Sequence, residues 1–322
     1  MATVSRFTLK QNRLKQLRAF CYVAQSNSMS KAAEQMFLSQ PAVSLLVKDL
    51  EKDLDSPLFH RHGPRISLTA QGKVLLDLSL HLVEGLESLP DTFNERCNNL
   101  VSGTLHIAAG ESAILYILPE LIREFRDNFP GIQVKLSNVT VRESMDMLRT
   151  GTADFAVGSI LEVPEDIIYI PTHTYDPVLI TPRGHPLSEL AKVAIADISQ
   201  YGLILSPRYL STWRLVEVIF QQHNAKYTVA LEAGGWEVIK KYVEQGLGIS
   251  IVNTICLTGR ENLEVISLDQ FFPKRHYGML LRQDKYLSPA TRRFIDMIDH
   301  EALQKIDAEN TITQPLTNEI NS

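Results

Sequence analysis

Apolar residues fall into three short helical patterns before residue 55. Leu14, Leu17, Phe20, Val23 and Ala24 recur at helical spacing and predict a first amphipathic helix. Ala32, Ala33 and Met36 put small and apolar groups on one face of a shorter helix, followed by Leu38. Ser39 then offers a side-chain cap, and Pro41 takes an early helical position where its missing N–H costs nothing. Val43, Leu46, Val47, Leu50 and Leu54 continue at helical spacing, while Ser44, Lys48 and Lys52 lie toward another face. Two helices, a tight turn and a capped start fit a helix-turn-helix over about residues 29–48. The pattern alone fits a plain helical hairpin with a solvated lysine face equally well.

Downstream, FHRHGPRIS (Phe59 to Ser67) places Gly63 and Pro64 at a turn between two short extended pieces. Thr69 is positioned to cap a long helix predicted through about Asn98. Its Leu75, Leu78, Leu82, Leu86, Leu89 and Phe93 repeat at near-heptad spacing, which suits a helix–helix seam and hence a dimer. Gly85 and Pro90 interrupt it, so a bend or early end is expected near Leu89. From Gly103 strands and helices alternate. TLHIAAG reads as a strand, SAILYILPELIREFRDNFP as a helix ended by Pro130, IQVKLSNV as a strand, VRESMDMLRTG as a helix and ADFAVGS as a strand. That rhythm predicts a parallel sheet covered on both faces. IYIPTHTYDPVLITPRGHPLS breaks it and reads as a crossover into a second lobe. There follow GLILS, a helix from Trp213 to His223, YTVALEA, the helix GWEVIKKYVEQG and the strand GISIVN. YGMLLRQ returns as a strand, and SPATRRFIDMIDHEALQKI closes as a helix.

Charge changes the picture more than composition does. The 322 residues, 44% hydrophobic and 21% charged, suit two or three ordinary globular domains. The net charge of -5, however, divides unevenly: residues 1–69 carry ten Lys/Arg against five Asp/Glu, and the remainder carries 22 against 32. A basic module on an acidic body suits a chain that grips a polyanion by one end. No apolar run is long enough to span a bilayer, and MATVSRFTLKQNRLK lacks the apolar core of a secretory signal, so a cytoplasmic protein without membrane contact is expected. Cys21, Cys97 and Cys256 are far apart and in no metal spacing, consistent with reduced packing residues. There is no GxSxG, HExxH or GxxxxGK[ST] motif, and the nine histidines are scattered, with His173 read as a surface residue of the crossover. The expectation is no enzyme, no metal and no cofactor.

Leu14 to Lys73 resembles the N-terminal domain of LysR-type transcriptional regulators. The matching blocks are QLRAF, the AAE of Ala32 to Glu34, SQPAVS at Ser39 to Ser44, LE at Leu50 and Glu51, PLFHR at Pro57 to Arg61 and LTAQG at Leu68 to Gly72. Weaker blocks, YILPELIREFRDNFPGIQV, TADFAVG, PRGHPL and VEQGLGISIVN, resemble the effector domain of the same family, itself similar to periplasmic binding proteins. The implied fold is an α/β multi-domain chain. It would comprise an N-terminal arm (1–12), a winged helix-turn-helix (13–70), a linker and dimerisation helix (71–99), a two-lobed effector-binding domain (103–303) and a disordered tail (304–322). Lobe 1 would hold about 103–175 and 277–303, and lobe 2 about 176–276.

The resemblance implies a sequence-specific regulator of promoter activity, controlled by a small molecule bound between the lobes. It assigns DNA contacts to Ser28, Ser30, Ser39, Gln40, Pro41, Ser44 and Lys48, with Arg61 and Arg65 flanking the wing tip. Effector contacts fall on Ser112, Thr140, Ser211, Thr212 and Asn253. Two positions depart from the family pattern. Leu45 and Leu46 stand where relatives commonly carry a basic residue and a glutamine, which shifts weight to the wing and to dimer spacing. Glu111 stands where a neutral hydroxyl residue is common, and its carboxylate would oppose a simple anion unless it points away. The implied partners are double-stranded promoter DNA, a small effector, a second copy through the linker helix within a homotetramer, and RNA polymerase as a further candidate. Two rival readings are a solute-binding or enzymatic α/β protein with an incidental helical N-terminus, and a regulator that works without effector.

Overall fold

The computed structural model describes residues 12–62, 65–90, 92–93, 102–304 and 306, with only the backbone of residues 61, 62 and 65. The expectations of an N-terminal arm and of a wing tip at Gly63 and Pro64 therefore lie outside the described residues, as do Cys97 and most of the tail expected over 304–322; of that tail Gln304 and Ile306 are described, both are helical, and Ile306 is buried in the core.

Three helices, α1 (Arg13–Ser26), α2 (Met29–Met36) and α3 (Gln40–Asp53), precede a two-stranded antiparallel ribbon of β1 (Phe59–His62) and β2 (Arg65–Leu68). Each later helix start is fixed locally. Ser28 Oγ accepts from the Lys31 N–H at 3.3 Å, Ser39 Oγ from the Ala42 N–H at 3.4 Å, and Thr69 Oγ1 from the Gly72 N–H at 2.9 Å. Between α2 and α3 the chain reverses through Phe37, which takes the left-handed conformation with φ +54°. The shared core buries Phe20, Val23, Ala32, Val43, Val47 and Leu50, with the Phe20 and Phe59 rings 5.4 Å apart.

The next helix, α4 (Ala70–Glu87), continues that core through Leu76, Leu80 and Val83. Leu75 packs against it too, and so leaves the seam the heptad count assigned to it. The exposed stripe is Val74, Leu78, Leu82, Leu86, Leu89 and Phe93, mostly 58–63% exposed with Leu86 at 39%. The regular helix stops at Glu87 and turns at Ser88, ahead of Pro90, before helical geometry resumes at residues 89–90. Residues 94–100 lie outside the described part.

Lobe 1 is a five-stranded sheet in the order β4 (Ile132–Asn138), β3 (Gly103–Ala109), β5 (Phe155–Gly158), β12 (Arg275–Arg282), β6 (Ile167–Tyr175). The first three strands are parallel, as the rhythm predicts, but β12 runs antiparallel to both β5 and β6, so the sheet is mixed. The returning strand arrives from lobe 2 rather than through a crossover helix, which frees it from the parallel sense. Between β3 and β4 the single expected helix is two, α5 (Glu111–Tyr116) and α6 (Leu118–Asn128). Pro119 has no N–H to give the preceding turn, so it begins a new helix instead of continuing the old one. Helix α7 (Val141–Arg149) links β4 to β5.

Lobe 2 contains β7 (Pro177–Pro182), the short α8 (Ile195–Ile198), β8 (Gly202–Leu205), α9 (Ser211–Gln222), β9 (Thr228–Glu232), α10 (Trp236–Glu244) and β10 (Ser250–Asn253). A strand not expected from the sequence, β11 (Leu263–Ser267), pairs with the far edge of β7. The order β10-β7-β11 is antiparallel, and the parallel pair β8-β9 joins it through an isolated bridge between Leu203 and Ile249. The chain passes between lobes at two neighbouring places. Tyr175, the last residue of β6, pairs with Arg275, the first of β12, so Arg275 and His276 belong to the lobe 1 sheet. The closing helix α11 (Pro289–Ile298) covers lobe 1 through Phe294, against Phe125 and Phe155.

The linker helix rests on lobe 1 through a half-closed ion cluster. Glu84 Oε2 accepts from Arg282 Nη2 at 2.8 Å, and Glu84 Oε1 accepts from Lys285 Nζ at 3.3 Å, with Asp154 3.9 Å from the same lysine. Gly151, in the left-handed region at φ +69°, lets the backbone come this close, since a Cβ there would run into the Glu84 carboxylate. Tyr286 lies over Gly85 and hydrogen-bonds the Thr92 hydroxyl at 2.7 Å. No described helix is long and apolar enough to cross a membrane.

Candidate functional site

The start of α3 presents a polar surface. Its apolar side, Val43, Leu46, Val47 and Leu50, is buried against α1, which turns Ser39, Gln40, Pro41 and Lys48 to solvent and leaves Ser44 half-buried. Ser30 is exposed beside them at the start of α2, and Ser28 is its half-buried cap. The departure at Leu45 is visible here as an apolar side chain 60% exposed within this polar group, while Leu46 has gone into the core. Phe37, at 95% exposure, stands on the turn next to Ser39 and was not singled out from the sequence. The wing candidates Arg61 and Arg65 lie on β1 and β2, where Arg61 pairs with Ile66 and Arg65 with His62. Their side chains lie outside the described residues.

A cleft of about 410 Å³ separates the lobes. Lobe 1 contributes the start of α5 (Glu111 and Ser112), Thr140, Glu143 and Ser159. Lobe 2 contributes Ser206, Tyr209 to Thr212, and Gly234 to Trp236, while Arg275 and Tyr277 come from the joining strand. Four of the five expected contacts, Ser112, Thr140, Ser211 and Thr212, are thus brought together. The fifth is not. Asn253, at the end of β10, is buried and lines a separate void of about 10 Å³ behind Thr212 and Arg275. Its place in β10 opposite Pro177 turns it into the lobe, so its proximity along the chain to GISIV did not translate into access.

The hydroxyls differ in what they still offer. Ser112 is not a helix cap, since Gly110 takes that position; its Oγ accepts from Trp236 Nε1 at 2.7 Å. That bond, with one from the Tyr116 hydroxyl to Glu237, closes one side of the cleft between α5 and α10. Thr140 caps α7 in a reciprocal box: its Oγ1 donates to Glu143 Oε2 at 2.8 Å and accepts from the Glu143 N–H at 3.3 Å. Its hydroxyl is therefore occupied in both senses. Ser211 accepts from Arg275 Nη2 at 2.8 Å.

Two lining atoms have no hydrogen-bond partner among the described residues. Arg275 is 6% exposed and its Nε has none, and the Ser206 hydroxyl at 5% exposure has none either. Burial lowers the Arg275 guanidinium pKa, with Tyr277 and Tyr169 pulling the other way. Glu111 faces the cleft with its carboxylate against Gly235, where a Cβ would stand 2.8 Å from Oε1; Gly235 also sits at φ +83°. Burial first, and the Glu237 carboxylate second, raise the Glu111 pKa above the ordinary glutamate value. Sequence reading missed Arg275, Ser206 and Trp236, because nothing local marks a strand-end arginine or an indole as cleft residues. His173 lies elsewhere, stacked on Tyr175 with ring centroids 6.2 Å apart and held by Thr172. Among the described residues no group of three or more His, Cys, Asp or Glu is placed to hold a metal.

Residues 14–73 match the family model described as bacterial regulatory helix-turn-helix protein, lysR family, and residues 98–302 match the LysR substrate binding domain. The HTH-type transcriptional activator CmpR of Synechocystis sp. is 30% identical over 296 residues, covering 90% of this chain and 96% of its own. The RuBisCO operon transcriptional regulator of Allochromatium vinosum is 31% identical over 297 residues, with the same two coverages of 90% and 96%. A full-length OxyR variant from Pseudomonas aeruginosa shares the fold with a TM-score of 0.72 at 22% identity, over 88% of this chain and 94% of that one. The chain belongs to the LysR family: it is a helix-turn-helix transcriptional regulator with an effector-binding domain, and its function is regulation rather than catalysis.

Proposed function

We propose that this regulator reads double-stranded promoter DNA through Ser28, Ser30, Ser39, Gln40, Pro41, Ser44 and Lys48, with Arg61 and Arg65 on the flanking wing, and answers to a small molecule held in the interlobe cleft. Ser112, Ser211 and Thr212 contact that molecule, and Thr140 holds the cleft wall through its cap. The observation that carries the reading is the pairing, in one chain, of a solvent-facing polar helix start with a cleft that both lobes line. The exposed stripe from Val74 to Phe93 supports a homodimer through the linker helix, which would set two α3 helices against two half-sites. Pairs of dimers form a cytoplasmic homotetramer on the promoter, with RNA polymerase as a neighbouring partner. Ligand in the cleft favours one arrangement of the lobes and so changes how the DNA-binding pairs are held.

The test is binding to the DNA upstream of its own gene over a salt series, beside a Ser39→Ala, Lys48→Ala double variant. Tight, salt-sensitive, sequence-specific binding that the variant loses is expected. Equal weak binding by both proteins would overturn the assignment of the α3 surface to DNA.

A further inference from the structure

The deepest charge in the cleft has no counter-charge. Among the described residues Arg275 makes no ion pair, keeps its Nε without a partner and uses one Nη to reach a serine. An arginine 94% buried with no carboxylate against it among the described residues is costly, because its desolvation is not offset by an opposite charge. Such a group is retained where a ligand completes it. Ser206, which lines the same cleft, holds a second buried polar atom with no partner among the described residues. Guanidinium and hydroxyl donors of this kind match the oxygens of a carboxylate or of a phosphate.

On α5, which lines the same cleft, the demand is opposite. Glu111 lines it with acceptor oxygens, and Glu237 lies close enough to raise its pKa further. A small inorganic anion would satisfy Arg275 and leave Glu111 opposed. A ligand that meets both groups carries an acidic group and a hydroxyl or ammonium donor.

We propose that the effector is a small organic acid bearing a hydroxyl or ammonium donor, its acidic group received by Arg275 and Ser206 and its donor by Glu111. This rests on the cleft being the effector site. Propionate, lactate and alanine supply the probe series, three acids of one skeleton that carry no donor, a hydroxyl and an ammonium. Isopropylamine and 2-propanol are the arms without an acid, and inorganic phosphate the arm without a skeleton. Binding is followed by ligand-observed magnetic resonance and by thermal shift of the full chain.

Lactate or alanine is expected to bind about tenfold more tightly than propionate or phosphate. Glu111→Gln should close that gap, and Arg275→Gln should abolish response to all the acids, with Arg275→Lys recovering part of it. Gly234→Phe supplies an independent block, since a side chain at Gly234 enters open space on the cleft wall. Should Arg275→Gln fail to fold, the Glu111→Gln and Gly234→Phe arms still decide. Equal binding of propionate and alanine, preference for phosphate or for the arms without an acid, or no response to any acid would overturn the proposed ligand class. In the first two cases, loss of binding in Gly234→Phe would leave the cleft as the site. Acid binding that survives both Arg275→Gln and Gly234→Phe would overturn the cleft reading itself.

Discussion

Replacing Glu84 by Gln removes a charge from the contact between the linker helix and lobe 1 while keeping its shape. In the native cluster the carboxylate lies 2.8 Å from Arg282 and 3.3 Å from Lys285, and the three side chains are only 16%, 8% and 4% exposed. At an effective dielectric of about 20, one such pair attracts with ~5 kcal/mol before desolvation is charged against it. Desolvation offsets most of that in the intact cluster, so the pair adds little over an apolar contact. Removing one partner is different. It leaves two buried cations with Asp154, 3.9 Å from Lys285, as the remaining anion. The expected loss is ~3 kcal/mol, the lower end of the range for a broken buried pair, because Asp154 still offsets one cation. Urea unfolding followed separately by the signals of the two domains measures it. Glu87→Gln is the matched control, since Glu87 pairs with Arg18 at 3.0 Å but both side chains are about one-third exposed. That pair should be worth no more than ~1 kcal/mol. If Glu84→Gln costs no more than Glu87→Gln, burial does not make the cluster a structural contact and the reasoning fails.

Leu78→Glu with Leu82→Glu should turn the proposed linker-helix dimer into a monomer by light scattering while circular dichroism stays native, because both side chains point away from the core at about 60% exposure. A dimer that persists would remove the linker stripe as the interface. Burial alone would raise the Glu261 pKa, but the Lys240 ammonium and the Thr258 N–H override it and hold the carboxyl at about 2. Its contribution to stability is complete above the unfolded value near 4.5 and is lost as pH falls toward 2. Glu261→Gln should therefore flatten the acid limb of a pH–stability curve, and an unchanged limb would refute the pairing. Burial pushes the Cys21 and Cys256 thiols up to about 12, so in a Cys97→Ser background neither should react with maleimide until the protein unfolds. Rapid native labelling would contradict that burial.

The readable parts of the sequence were those set by neighbours along the chain. Ser39 and Thr69 announced helix starts because a cap is a contact over three residues, and the same reach makes the Thr140–Glu143 box legible. The break at Pro119 was equally local, but the apolar run on both sides masked it. Leu75 went to the wrong side because a period of 3.5 and one of 3.6 drift apart slowly, and only the helices packed on α4 decide between Leu75 and Val74. The antiparallel sense of β12 and the position of Asn253 depend on pairings across tens of residues. Arg275 was least legible of all. Nothing in RHYGMLLR distinguishes a cleft arginine from a surface one until Tyr175 is set beside it.

That pairing of Tyr175 with Arg275 also has a mechanical meaning. Both strand connections between the lobes cross at this point, so any rotation of one lobe over the other turns about it as a fulcrum. Atoms at a fulcrum barely move, so Arg275 would present nearly the same guanidinium to the proposed acid whether the lobes stand apart or together. The Arg275 contact by itself would add affinity to both states alike and shift neither. The lobes also meet where Trp236 donates to Ser112 and Glu111 lies against Gly235, contacts that a rotation would open or close. On the proposed ligand class, a molecule that grips only Arg275 would occupy the cleft silently, and one that also engages the Glu111 side would do the switching.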